Sequence, residues 1–486
     1  MRRILIAAAL LAIACAPEAQ ARKLGSLDFK ACSLSTPFSG DALPAQCTVL
    51  QVPENPAAPQ GRKIGLKIAW IPADRDDAAE PDPVFMLAGG PGQSATESYP
   101  QAANAFDETR KKRHLILVDQ RGTGGSNPLS CTEPFDENAL PTPQAASDYT
   151  KRCLASLAKR ADPRFYSTSE AIQDLELVRK AIGAPQVNLV GISYGTRVAQ
   201  QYAARYPAST RTIVLDSVAP NSLVLGNEFA RNLEDALALQ FALCAKTPAC
   251  VQRYGNPREK LRVLMARLAT DPPLVTYRDG ITGEGRQERL TPQLVAGLVR
   301  MYAYMPLASS LLPLQLNEAA NGRYDALMSL SKMLGEQLSD SINIGMQLSV
   351  ICTEDGGELK ANPADEDTLL GNDFSRYLVA QCATWPKGVR PAGFRAPLKT
   401  KVPALLLSGE FDPVTPSRYG DAVARNLPNA RHLVLRGQGH NVIGIGCMPR
   451  LMARFIDTAE AKPLDATCLA KLAYTPPFTG FYGWEP

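Results

Sequence analysis

Six short apolar runs, Val84 to Leu87, Leu115 to Val118, Val187 to Val190, Ile213 to Leu215, Ala404 to Leu407 and Leu433 to Leu435, constrain this chain more than any other feature. Each is bounded by turn residues, and uninterrupted runs of this length fit strands buried on both faces. Helical patterns lie between them. In Ser169 to Ile182, Ile172, Leu175, Val178, Lys180 and Ile182 build a mostly apolar face, and Ser169 is expected to cap the start. Strands alternating with helices predict a parallel α/β sheet. Ahead of it, Thr48 to Val52 and Ile64 to Ile71 read as an antiparallel pair joined across a Pro-rich turn at Pro53, Pro56 and Pro59.

From about Pro220 to Pro397 the strand signal fades and helical patterns dominate. Thr291-Pro292 opens one such helix, with Leu294, Leu298, Met301 and Tyr302 on a single face. The strand pattern resumes at Val402, so the helical stretch is expected to be an insertion between two halves of one sheet, placed as a cap over its active edge. The resulting division is 22–219 for the first part of the core, 220–397 for the cap and 398–486 for the rest of the core.

The first segment, MRRILIAAALLAIACAPEAQA, carries two arginines, an apolar run from Ile4 to Ala14 and Ala19-Gln20-Ala21, the pattern of a signal peptide covering 1–21. Its run is shorter than the roughly 20 apolar residues that a spanning helix needs, and no later segment reads as transmembrane. Ala12-Ile13-Ala14-Cys15 also loosely resembles a lipobox, which would make Cys15 a lipid anchor. The expected destination is the periplasm or the exterior. Eleven cysteines become ten after cleavage at Ala21, an even number that in an oxidising compartment argues for disulfides. Their order suggests Cys32 with Cys47, Cys131 with Cys153, Cys244 with Cys250, Cys352 with Cys382 and Cys447 with Cys468, although sequence alone leaves connectivity open. With no C-x-x-C and only three histidines, a zinc site is not expected, and 52 basic against 48 acidic residues without a basic stripe gives no reason to expect a nucleic-acid partner.

Gly191-Ile192-Ser193-Tyr194-Gly195 matches G-x-S-x-G between an apolar run and a helical pattern, the setting of a nucleophile elbow. A serine hydroxyl needs a base, and the base an orienting acid. His114 and His432 each stand at the start of a strand-like run, where a structural imidazole is expected. His440 instead lies in the loop Gly437-Gln438-Gly439-His440-Asn441, just after a strand. Asp412, after the run Ala404 to Leu407, completes the order Ser, Asp, His, with Asp216 at the end of Ile213 to Leu215 as the rival acid. For the oxyanion, the candidates are the N–H groups of Tyr194 and of Gly90 in Ala88-Gly89-Gly90-Pro91-Gly92; Pro91 has none to give. No cofactor is called for.

Together with Asp119-Gln120-Arg121-Gly122-Thr123-Gly124-Gly125-Ser126 and Gly409 to Asp412, these motifs resemble the α/β-hydrolase serine aminopeptidases of the prolyl iminopeptidase family, in particular the tripeptidyl-aminopeptidase-like branch with a large cap. The resemblance spans Val84 to about Met448. One departure is Ala88, where the smaller prolyl iminopeptidases have a histidine. The Asp119 to Ser126 stretch is expected to be a supporting loop. The resemblance implies an α/β-hydrolase fold and removal of amino acids or short peptides from free N-termini. It further implies an anion for the substrate's ammonium, for which Glu354, Asp355 and Glu410 are the candidates, solvated surface carboxylates being the plainer alternative. A carboxylesterase with the same triad and a non-catalytic binding protein of the same fold are the competing readings.

Overall fold

The computed structural model describes residues 22–35, 42–131, 142–280, 282–339 and 341–484. The expected signal peptide and Cys15 lie outside the described residues. Ten strands form one sheet in the order β1-β2-β3-β4-β6-β5-β7-β8-β11-β12. They are β1 (Arg22–Leu24), β2 (Leu27–Ser35), β3 (Ala42–Pro53), β4 (Lys63–Ile71), β5 (Val84–Leu87), β6 (Leu115–Val118), β7 (Val187–Ile192), β8 (Thr210–Asp216), β11 (Ala404–Gly409) and β12 (Ala430–Leu435); β9 (Leu274–Arg278) and β10 (Gly285–Arg289) make a separate hairpin.

The sheet is antiparallel from β1 to β6 and parallel from β6 to β12. Every residue of β5, β6, β7 and β11 is buried, as their uninterrupted apolar sequences require. Successive side chains point to opposite faces, so the same strands supply two cores. Phe85, Ile116, Leu189, Ile213 and Leu406 pack on one side with Ile172, Leu175 and Val178 of the helix Thr168–Ala181 and Val198 and Tyr202 of the helix Tyr194–Arg205. Met86, Leu117, Val190, Val214 and Leu405 pack on the other with Leu451, Met452 and Phe455 of the helix Met448–Thr458. This is the α/β-hydrolase fold.

A large helical insertion from Phe229 to Glu354 precedes the last two strands. Its own core joins Leu233, Leu237 and Phe241 to Leu298, Tyr302 and Leu316. Among the described residues, five disulfides link the cysteines in the order read from the sequence. Among the described residues, no helix is long and apolar enough to cross a membrane.

Several local expectations change. Ser167, not Ser169, caps the helix Thr168–Ala181, because Ser167 and Glu170 form a reciprocal capping box. The helix Pro292–Ala303 starts at Thr291 as expected, but Val295 and Val299, rather than Met301, complete its buried face. β12 is an edge strand, and Val434 is 46% exposed instead of buried on both sides. β1, β2 and the β9–β10 hairpin had no reading in the sequence.

Candidate active site

Ser193 stands between the end of β7 and the helix Tyr194–Arg205, with φ of 55° and ψ of −121°. A side-chain-bearing residue at positive φ costs on the order of 1 to 3 kcal/mol, so the surroundings must impose it. They do so through the two flanking glycines. A Cβ on Gly191 would stand 2.4 Å from the Gly195 carbonyl oxygen, and one on Gly195 would stand 2.2 Å from that of Leu87. Only glycines let the helix start this close to β5 and β7. The Ser193 side chain is thereby raised above the C-terminal edge of the sheet, at the positive end of the helix dipole.

The loop carrying His440 is tied to the same edge by β8. Ser193 N–H donates to the Asp216 carbonyl at 2.8 Å, and the Asp216 carboxylate accepts the N–H groups of Val442 and Ile443 at 2.8 and 3.0 Å. Asn441 N–H donates to Ser217 Oγ at 2.8 Å. Asp216 thus fastens the segment just after His440 beside the turn that presents Ser193. Its burial pushes its pKa up to about 6, against the lowering pull of the two amides.

His440 Nδ1 lies 2.8 Å from Asp412 Oδ2, and its side chain is 4% exposed. Burial would lower the imidazole's pKa, but the charge and hydrogen bond of Asp412 outweigh it and hold the group above the ordinary histidine value. Burial would likewise raise Asp412, and His440 with the amides of Thr415 and Val414 keeps it below its usual value instead. Thr415 Oγ1 donates to Asp412 Oδ2 at 2.9 Å and sits 3.3 Å from His440 Nδ1. With Nδ1 engaged, Nε2 is the nitrogen left for chemistry. Asp216, by contrast, has no hydrogen bond to an imidazole.

The glycine loop after β5 approaches the serine closely: a Cβ on Gly89 would be 3.1 Å from Ser193 Cβ. Gly90 has φ of 103°, which suits a glycine, and precedes a cis bond to Pro91. Asp119, fully buried, anchors the following helix start by accepting Ser94 Oγ and Thr96 N–H at 2.7 and 2.9 Å. Arg121 pairs with Asp174 at 2.6 Å, and Gln120 Nε2 donates to the Tyr194 hydroxyl at 3.2 Å. The loop Asp119 to Ser126 is therefore a brace beneath the site.

The cap closes over both halves. Tyr304 packs its ring edge-on against His440 at 5.1 Å, and its carbonyl accepts His440 N–H at 2.9 Å. Asn343 N–H donates to the Gly92 carbonyl at 2.9 Å on the opposite rim. Sequence reasoning missed both residues, and neither carries a local signal. Thr415 could have been found, since a hydroxyl three residues after an aspartate is a common turn pattern.

The three carboxylates considered for an ammonium are placed differently. Glu354 ends the helix Ile344–Glu354 and is 1% exposed; its Oε1 accepts Thr168 N–H at 2.7 Å and its Oε2 lies 3.5 Å from Arg197. Burial raises its pKa to about 7, with Arg197 opposing and Asp355 reinforcing the rise. Asp355, fully buried, pairs with Arg197 at 3.0 Å and Arg395 at 2.6 Å. Glu410 accepts Gly437 N–H at 2.7 Å and the Tyr474 hydroxyl at 3.1 Å. Glu354 and Asp355 are buried and Glu410 is half-buried, and each is already engaged. Glu354 is linked to Tyr194 through Thr168, whose hydroxyl lies 2.6 Å from that of Tyr194; Asp355 is linked to the same helix through Arg197, and Glu410 to the His440 loop through Gly437.

His114 and His432 are structural. His114 Nδ1 accepts Ala73 N–H at 3.0 Å. His432 bridges Ser408 Oγ at 2.9 Å and Asp421 Oδ1 at 2.8 Å, a second Ser-His-Asp chain. Ser408 is fully buried within β11, where no substrate reaches it and no helix start supplies N–H donors. No group of His, Cys, Asp and Glu suited to hold a metal occurs among the described residues.

The family described as "alpha/beta hydrolase fold" matches residues 82–265, and that described as "TAP-like protein" matches residues 367–468. Serine protease Hip1 of Mycobacterium tuberculosis is 25% identical over 506 aligned positions, covering 92% of each chain. Tripeptidyl aminopeptidase of Streptomyces lividans is 24% identical, covering 87% of this chain and 84% of its own. Carboxylesterase B of Mycobacterium tuberculosis is 25% identical, covering 87% and 86%.

Proposed function

We propose that this chain, a member of the α/β-hydrolase superfamily of serine hydrolases distantly related to peptidases and esterases, is an exported peptidase. It releases residues or short peptides from free N-termini through an acyl-enzyme. The observation that carries the reading is the Asp412–His440 pair at 2.8 Å, in a loop that β8 fastens beside the Ser193 turn.

The chemistry follows from that arrangement. Ser193 Oγ attacks the scissile carbonyl and gives its proton to His440 Nε2, while Asp412 fixes the tautomer and stabilises the imidazolium. The N–H groups of Tyr194 and Gly90 receive the oxyanion. His440 then protonates the departing amine as the C–N bond breaks, and water, activated by the same imidazole, releases the acyl group. The five disulfides support an oxidising compartment for the mature chain, the periplasm or the exterior.

Carboxylesterase activity is the second reading, because the same parts hydrolyse esters and one relative carries that name. A panel of aminoacyl, dipeptidyl and tripeptidyl nitroanilides beside short-chain nitrophenyl esters tests the choice. Turnover of free N-terminal anilides is expected; turnover of esters alone would transfer the assignment to the esterase. Absence of fluorophosphonate labelling at Ser193 would remove both in favour of a binding protein.

A further inference from the structure

Arg300 lies on the helix Pro292–Ala303, one turn before Tyr304, so the two side chains leave the same face of the cap. Tyr304 meets the His440 ring at 5.1 Å, which puts Arg300 on the histidine side of the cleft. His440 feels its positive charge. The guanidinium rests over the rings of Phe229 and Phe374, at 5.2 and 5.5 Å, and these rings are themselves 5.4 Å apart. All three side chains are half-buried.

Among the described residues no carboxylate pairs with Arg300. The acids next in sequence to the two rings turn elsewhere, Glu228 to the Tyr419 hydroxyl and Asp373 toward Arg376 at 3.8 Å. An arginine resting against two aromatic rings, with no carboxylate partner, keeps its fork of N–H donors available for a planar anion. Its side of the cleft is chemically defined. The imidazole that protonates the leaving group must border it, so a cation beyond the imidazole faces the leaving fragment rather than the acyl fragment.

We propose that Arg300 forms a carboxylate subsite for the leaving fragment, which makes the preferred substrates short peptides whose free C-terminus lies one or two residues beyond the scissile bond. The inference rests on the peptidase reading and narrows its substrate class.

The test compares two peptides differing only in the C-terminus, a free carboxylate against a carboxamide one residue after the cleaved bond. A charge-assisted, two-point contact corresponds to roughly 10- to 100-fold, so wild-type kcat/KM is expected to favour the acid by at least about 10-fold. In Arg300→Met the acid-to-amide ratio is expected to fall to within about 2-fold of unity, and in Arg300→Lys to an intermediate value, since charge remains but the fork does not. Because each ratio is taken within one enzyme, general damage cancels. Should Arg300→Met lack a cooperative melt, the wild-type and Arg300→Lys ratios decide. Equal cleavage of acid and amide by the wild type overturns the subsite while leaving the peptidase reading standing, and so does a preference undiminished in Arg300→Met. Turnover of nitrophenyl esters with neither peptide cleaved overturns both.

Discussion

Asp216 Oδ2 lies 2.8 Å from the amide nitrogen of Val442, two residues beyond His440. The acid at the end of β8 thus holds the loop, while Asp412 holds the ring at 2.8 Å. The two aspartates should fail differently. Asp412→Asn is expected to lower kcat by roughly 10³- to 10⁴-fold through loss of the tautomer and the imidazolium's counter-charge. Asp216→Asn leaves the Asp412 contact in place and should cost on the order of 10-fold, because an amide has one acceptor oxygen for N–H groups that now share two. Steady-state kinetics of the two variants check the ranking, and a reversed order would make Asp216 the catalytic acid.

The acidic limb of kcat/KM should lie above pH 6.5. Only the neutral imidazole accepts the Ser193 proton, and Asp412 holds His440 above its ordinary value despite burial, with Asp216 adding to the rise and Arg300 opposing it. Activity is therefore lost as pH falls through that raised value. Arg300→Met removes the opposing cation and is expected to move the limb to higher pH; Asp216→Asn removes a carboxylate and should move it lower. A pH series of kcat/KM on an uncharged ester reads both shifts, and a limb at or below the ordinary histidine value of 6.5 in the wild type would contradict the prediction.

Glu354→Gln should reveal a structural carboxylate. The folded protein holds this acid's pKa near 7, above the ordinary 4.5, so between those values the native state binds more protons than the unfolded state. The group's contribution to stability therefore declines as pH rises through that window. Glutamine retains an oxygen for Thr168 N–H but never ionises. The variant is expected to gain on the wild type by about 1 to 3 kcal/mol between pH 5 and pH 8. Denaturant melts at the two pH values measure it. A selective rise in KM for free over acetylated N-termini would instead mark Glu354 as the ammonium anchor.

The bridge Cys352–Cys382 ties the helix that ends at Glu354 to the helix Asp373–Thr384 across 30 residues. Replacing both cysteines by alanine is expected to cost about 3 kcal/mol through the freed unfolded chain. Chemical denaturation gives the value. Detecting most of the mature cysteines as free thiols in the unfolded wild type would contradict the oxidising compartment.

What the sequence disclosed depended on how local the cause was. The elbow is written in five consecutive residues because a side chain on either glycine would clash with the other glycine or with the adjacent strand, and the chain order of Ser193, Asp412 and His440 follows the strand order. The cysteine pairs are neighbours in sequence for the same reason that they are neighbours in space. β2 was silent because only Phe29 and Leu34 of its nine residues are buried, which leaves no apolar run to see. Glu354 was legible as a carboxylate near a cysteine but not as the partner of Arg197, 157 residues away. Tyr304 reaches His440 only because the cap folds back, a contact with no trace in local pattern. The second chain of Ser408, His432 and Asp421 shows the converse: three hydrogen-bonded side chains of the right kinds make no active site without an exposed turn to carry the serine.

The five bridges also bear on how the chain is made. Among the described residues, the ten cysteines are joined in consecutive pairs along the chain, over separations of 6 to 30 residues. On the export route proposed above, as the mature polypeptide emerges N-terminus first, the first free thiol to follow the leading cysteine of each pair is its native partner. An oxidase acting on thiols in order of arrival therefore generates the correct set, out of roughly a thousand possible pairings of ten cysteines. Maturation then calls for an electron acceptor but little reshuffling, and the yield of active protein should depend far more on a thiol oxidase than on a disulfide isomerase.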